Sequence, residues 1–245
     1  MYYTILSTKG GVGKTTIAQQ LIAPFIHHKN GYKAEIIELD NNNESNVLKQ
    51  ATTQFTKTLT LQNSEDILLE KFIDVVNDKD VVIDVGGGDD TKAVLKAFKS
   101  NRIEDEAIFI IPVLKDLSNQ KNVIDTYKLI RTWNKKAKVI FIFNKWSNED
   151  EFSGIISELE KQKLTNYDVF RLQETHLFDE IAKEFQKPLY EITLENLGDI
   201  KTAMKELALK KDIKKLKEFK RWVSIYDECL EYRKKNLDLL FKELL

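Results

Sequence analysis

The 245-residue chain is 42% hydrophobic and 10% aromatic with 9 glycines and 3 prolines, which excludes a collagen-like, low-complexity or wholly disordered polypeptide. Folding a chain of this length removes roughly three quarters of its extended surface from water, ample for a core. Net charge is only −1, yet residues 201–245 hold 13 Lys and Arg against 8 Asp and Glu, so a basic C-terminal part is set against an acidic remainder.

Short β-rich apolar runs alternate with helix-period segments. The runs are Tyr2 to Leu6, Ala34 to Leu39, Val81 to Val85, Ala107 to Val113, Lys138 to Phe143 and Tyr167 to Leu172, with a weaker one near Thr56 to Leu61. The central runs are apolar at consecutive positions, as strands buried on both sheet faces require. Thr15 to His28, Lys92 to Ser100, Leu117 to Lys135 and Phe152 to Lys163 supply covering helices. This alternation predicts an α/β fold with a doubly wound, mostly parallel sheet. From Asn196 the pattern turns helical: one helix closes the α/β domain, assigned to residues 1–209, and a second, from about Ile213, forms an extension over 210–245 that packs on the domain or on a second subunit.

Cys229 is the single cysteine, and MYYTILS lacks the basic and apolar regions of a leader. No apolar run approaches the roughly 20 residues of a membrane-spanning helix, so a cytoplasmic location is expected. The three histidines, His27, His28 and His176, show no ligand spacing.

The most informative stretch is Lys9-Gly10-Gly11-Val12-Gly13-Lys14-Thr15-Thr16, between the first strand and the first helix. Glycines let a backbone curl so that successive N–H groups face phosphate oxygens, and the following helix adds its positive end. Lys14 then reaches the β- and γ-phosphates, and the Thr15 hydroxyl meets Mg2+. Thr8 replaces the first glycine of the usual phosphate-loop pattern, while Lys9 is an additional lysine.

KGGVGKT resembles the deviant Walker A loop of the family that contains ParA, MinD and the nitrogenase iron protein. The resemblance covers about residues 1–209 and implies an ATPase. It also implies a role for Lys9, which would cross a homodimer to touch the ATP of the partner subunit, as an arginine finger does. The second strand runs Glu35-Ile36-Ile37-Glu38-Leu39-Asp40. Asp40 matches the family aspartate that activates water and Glu38 the one near magnesium, with Glu for the usual Asp and Asn41-Asn42 for Pro-Gln; a charged strand end facing solvent is the alternative. Val81-Val82-Ile83-Asp84 ends in a Walker B-like carboxylate for the Mg2+ shell. In Val85-Gly86-Gly87-Gly88-Asp89-Asp90, where the family usually has Thr-Pro-Pro-Gly or a similar switch segment, the glycines suit either a moving switch or a simple tight turn. Asn144 matches an adenine-contacting asparagine or is a plain loop cap. Phe178 to Lys183 and Lys187 to Tyr190 resemble the family's last helix-to-strand passage beside the base.

Two partners follow from the C-terminal part. Between residues 201 and 221 nine cations face three acids, which suits nonspecific DNA binding by an ATP-bound dimer as in ParA-like proteins, or an ordinary solvated helix. A nucleoid-associated location and a ParB-like stimulating partner follow from the first reading. Leu237, Leu240, Phe241 and Leu244 form an apolar stripe, but Asp238 and Glu243 beside it make attraction to anionic lipid feeble, so packing is the expectation. An adaptor with little hydrolysis and a small-metabolite kinase remain alternatives. The lone cysteine excludes the iron–sulfur chemistry of the nitrogenase branch.

Overall fold

The computed structural model describes residues 1–40, 48–198 and 200–245, without the side chains of Leu117 and Lys201. Asn41 and Asn42, and the side chain of Lys201, therefore lie outside the described residues.

Seven strands form one parallel sheet in the order β3-β2-β4-β1-β5-β6-β7. They are β1 (Tyr2–Ile5), β2 (Ala34–Leu39), β3 (Gln54–Leu59), β4 (Val81–Val85), β5 (Ala107–Val113), β6 (Lys138–Trp146) and β7 (Tyr167–Gln173). The chain first builds outward from β1 on one side and then on the other, so β1 lies between β4 and β5 at the point where strand order reverses. Ligands in open parallel sheets bind outside the carboxyl ends of the strands at such a point.

Helix α1 spans residues 14–30 and carries a wide π-turn at Ala18–Ile22. Pro24 has no N–H to return to the carbonyl of Gln20, and the wide turn before it absorbs that defect. The helix stops at Gly31, whose φ of 73° lets its N–H bond the carbonyl of His27 at 2.8 Å. Four further helices follow in order: α2 (Ser64–Val76), α3 (Asp89–Asn101), α4 (Leu117–Trp133) and α5 (Ser153–Lys161). Helix α6 is Leu177–Phe185, α7 the short Leu189–Ile192, and α8 Ile200–Leu209. The last helix, α9, covers residues 213–244.

Alternation along β1 divides the core in two. Tyr2 joins a cluster under α2 to α5, whereas Tyr3 joins one under α1, α6, α7 and α9. The C-terminal stripe belongs to the second cluster: Leu237, Leu240 and Phe241 are buried, and the Phe241 ring lies 5.8 Å from Phe25. Burying three such side chains contributes about 5 to 8 kcal/mol of gross transfer energy, so this face of the helix is committed to the chain's own core. Helix α2 lies in a segment where no helix is read from the sequence. Lys187 to Tyr190 do not enter a strand: Pro188 caps the short helix α7, and its missing N–H suits a helix start.

Candidate functional site

The loop after β1 lies across the carboxyl ends of β1 and β4. Gly11 and Gly13 have φ of 71° and 89°, values that disfavour any side chain. Gly13 is also the N-cap of α1 and offers no side-chain acceptor, so the N–H groups of Lys14, Thr15 and Thr16 are orphans of the helix start, available to an anion. A cavity of about 450 Å³ opens there, lined by Gly10, Gly11, Gly13, Lys14, Thr15 and Thr16, with Glu38, Asp40 and Asp84 opposite.

Lys14 curls back so that its ammonium meets the carbonyl of Lys9 at 3.4 Å. Burial lowers its pKa, while Asp84, Asp40 and Asp90 oppose that shift. Thus a desolvated cation faces three carboxylates, the charge arrangement that a phosphate chain with its metal would rebalance. Glu38 and Asp84 are register partners on the neighbouring strands β2 and β4. Burial pushes the Asp84 carboxyl up to about 7; the Thr15 hydroxyl bond and Lys14 pull it down, and Glu38 and Asp40 push it further up. Glu38 accepts a bond from Thr58 Oγ1 at 2.9 Å. Asp40 follows the last residue of β2 and also lines the cavity.

These oxygens fit a magnesium ion that takes few protein ligands and completes its shell with phosphate and water. Among the described residues no cluster of three or more His, Cys, Asp or Glu could form an all-protein metal cage. His27 and His28 lie against the Tyr190 ring, and His176 pairs with Glu180 and Glu228.

The glycines after Asp84 have a packing role that the sequence hid. A Cβ at Gly86 would stand 2.0 Å from Asp90 Oδ2 and 3.1 Å from Asp40 Cγ, and one at Gly87 would stand 3.2 Å from the Gly10 nitrogen. Only a bare backbone lets this loop press on the phosphate loop and leave room for the two carboxylates. Asp90, Gln19, Gln20 and Leu48 at the site were not singled out from the sequence; in Asp90's case the signal was the second Asp of GGGDD.

Asn144 is buried and donates from Nδ2 to the carbonyl of Val12 at 3.2 Å. A Cβ at Gly13 would stand 2.3 Å from the same Nδ2, so the amide braces the loop from below. It also borders a second cavity of about 730 Å³, lined by Leu114, Lys115, Glu174, Thr175 and His176. The two cavities share Gly11, Gly13, Thr16, Phe178 and Asp179, forming one continuous trough. Lys9 lines neither cavity but sits at the rim of the second: its ammonium lies 3.3 Å from Oδ1 of Asp116, which borders that cavity, and donates to Ser118 Oγ at 2.6 Å.

Glu191, on α7, is a buried carboxylate that accepts four bonds of 2.8 to 3.0 Å, from the N–H and hydroxyl groups of Thr52 and Thr53. On the same short helix, the N–H of Leu189 donates to Gln20 Oε1 at 2.9 Å. The stretch leading into β3 is thereby fastened to the helix that begins at the phosphate loop.

No helix among the described residues is long and apolar enough to cross a membrane. No curated protein matches the chain. Among solved structures it is similar to apo McdA from Cyanthece, at 16% identity over 78% of this chain and 92% of that one, TM-score 0.52. A Borrelia burgdorferi B31 protein bound to AMPPNP is 15% identical over 93% and 98% of the two chains, TM-score 0.49. A plasmid partition protein from Borrelia burgdorferi is 18% identical over 79% and 97%, TM-score 0.47. Likeness at this identity is one of fold. The family model for the CobQ/CobB/MinD/ParA nucleotide binding domain matches residues 3–188. The chain belongs to that family of P-loop nucleotide-binding proteins.

Proposed function

We propose that this chain is a Mg-ATP-dependent dimerising ATPase of the ParA type that binds DNA nonspecifically in its ATP state and positions plasmid or chromosomal DNA. The observation that carries the reading is the convergence of Lys14, Thr15, Asp84, Glu38 and Asp40 on one cavity at the end of β1. The loop N–H groups of Gly10 to Thr16 would hold the phosphates, and Lys14 would supply a cation to the terminal ones. Thr15, Asp84 and Glu38 would hold magnesium, which would supply positive charge against the phosphates. Asp40 orients water toward the γ-phosphorus. The base would lie in the second cavity, which Asn144 borders.

Lys9 completes the site of the partner subunit. A cation supplied in trans stabilises the charge that develops on the transferring phosphoryl group, so hydrolysis is slow and gated by assembly. Hydrolysis returns the monomer, and a ParB-like partner accelerates that step.

Helices α8 and α9 supply the DNA face. Lys205 stands on α8, Lys210 and Lys211 in the turn after it, and Lys214, Lys215 and Lys217 on α9, and pairing two copies doubles the cation count. No arginine lines either cavity among the described residues, which disfavours a small-metabolite kinase with an arginine lid. The bond from Thr58 to Glu38 favours, as a second reading, an adaptor that hydrolyses ATP barely at all. Retardation of duplex DNA with a non-hydrolysable ATP analogue, with ADP and without nucleotide tests the proposal. Binding confined to the analogue and weakening steeply with salt supports it; binding indifferent to nucleotide and salt overturns it.

A further inference from the structure

Two exposed apolar patches of opposite electrostatic character lie on opposite faces of the sheet. On α2, Leu69, Ile73 and Val76 recur at helical spacing and are 52%, 66% and 63% exposed. A period of three to four residues places them on one side, over about 10 Å of helix. Glu65, Asp66 and Glu70 border this stripe. The ion pairs of the helix instead join Lys71 to Glu35 and Asp74, and Lys79 to Asp74. The three bordering acids have no ion pair among the described residues.

The second patch is the turn between α8 and α9. Leu209 and Ile213 are 82% and 67% exposed there. Lys210, Lys211, Lys214 and Lys215 flank them, with Lys211 at a left-handed φ of 54° at the turn. The first residue of α9 packed against the core is Trp222, whose ring lies 4.8 Å from Phe185, so the preceding residues 213–221, about 13 Å of helix, carry this tip beyond the core. A surface made for phosphate alone needs lysines but not two protruding branched aliphatic side chains.

We propose that the basic, apolar tip of one copy docks on the acidic, apolar face of α2 of another. Both patches are aliphatic, and the charges around them are opposite: Lys210, Lys211 and the acids bordering the α2 stripe have no ion pair among the described residues, while Lys214 and Lys215 pair with Glu218 and Asp212 at 3.9 and 3.4 Å. Because the tip extends from the α9 side of the sheet and the stripe lies on the α2 side, the contact is head-to-tail. Each added copy leaves one tip and one stripe open, so assembly propagates as a chain instead of closing as a dimer. This contact requires no nucleotide and is distinct from the ATP-dependent pairing proposed above.

Sedimentation velocity of the nucleotide-free protein over a hundredfold concentration range tests it. The expected result is a weight-average mass that climbs beyond the dimer at low salt and falls back toward the monomer at high salt. Ile73→Glu and Ile213→Glu should each hold the protein at the monomer while leaving nucleotide binding unchanged, as both positions are on the surface. An equimolar mixture of the two should form a complex of two chains and no larger, because one retains a sound tip and the other a sound α2 face. A wild-type mass independent of concentration, a mixture that stays monomeric, or association that only one substitution removes would overturn the proposal. So would a tip that engages only duplex DNA or anionic vesicles while the protein alone remains monomeric.

Discussion

Lys9 and Asp116 form an ion pair within a single chain, Nζ to Oδ1 3.3 Å apart. Asp116 is held in place without the lysine: it is the N-cap of α4 and accepts the Asn119 N–H at 2.8 Å. The acceptor is therefore preorganised, and in the proposed dimer Lys9 would leave it to reach the partner's phosphates. Exposed pairs contribute about 0.2 to 1 kcal/mol, so Asp116→Asn, which keeps the capping oxygen, should strengthen the ATP-bound dimer by about twofold to fivefold. Light scattering across protein concentrations with an ATP analogue measures this; a weakened dimer would mean that Asp116 supports the assembled state.

Lys14 and Lys9 should separate cleanly by substitution. Truncating a buried charged partner costs about 2 to 5 kcal/mol, so Lys14→Ala should weaken nucleotide binding by about a hundredfold or more. Lys9→Ala should leave monomer affinity within about twofold, because its ammonium is held by Asp116 and Ser118 and does not line the phosphate cavity. Titration of a fluorescent nucleotide checks both. Unchanged binding by Lys14→Ala would remove the phosphate-loop assignment.

Gly13→Ala joins two faults. The position has a φ of 89°, and the added carbon would stand 2.3 Å from Asn144 Nδ2. Left-handed backbone costs an ordinary residue about 1 to 2 kcal/mol before any clash is counted. Lower thermal stability together with weaker nucleotide binding is expected from calorimetry and titration. Asn144→Ala in the same chain should restore part of the stability but not the loop's support.

Glu191 provides a pH test. Burial would raise its pKa, but the bonds from Thr53 and Thr52 outweigh that and hold it below the ordinary 4.5. A lowered carboxylate contributes stability that is complete above its unfolded pKa and is lost as pH falls through the folded value. Wild-type protein should therefore lose stability relative to Glu191→Gln as pH falls from 6 to about 3. Glu191→Ala should cost about 2 to 4 kcal/mol at neutral pH, leaving Thr52 and Thr53 without their acceptor. Urea denaturation at several pH values reads both effects.

The sequence shows the parts of this molecule that depend on local rules. The parallel sheet is visible because β1, β4, β5 and β6 are apolar without alternation, and the phosphate loop because its glycines and lysines lie between a strand and a helix. Contacts between distant segments leave no such trace. Nothing near Glu191 announces Thr52 and Thr53, 139 and 138 residues away, and nothing near Lys9 announces Asp116. The mixed composition of α2, with apolar residues facing outward as well as inward, obscures its helical period. Asn144 is visible as a residue at a strand end, but only the fold turns its amide toward Val12. The sequence favours packing over a membrane for the C-terminal stripe but does not separate the chain's own core from a second subunit; its contacts with Phe25 and Tyr190 assign it to the core.

The most direct measurement is the mass of the protein by gel filtration with light scattering, in Mg-ADP and then in Mg with a non-hydrolysable ATP analogue. The account predicts the 28.5 kDa monomer in ADP at dilute concentration and high salt, and a doubling in the analogue that Lys9→Ala abolishes. A mass unchanged by the γ-phosphate, or a doubling that Lys9→Ala leaves intact, would contradict it.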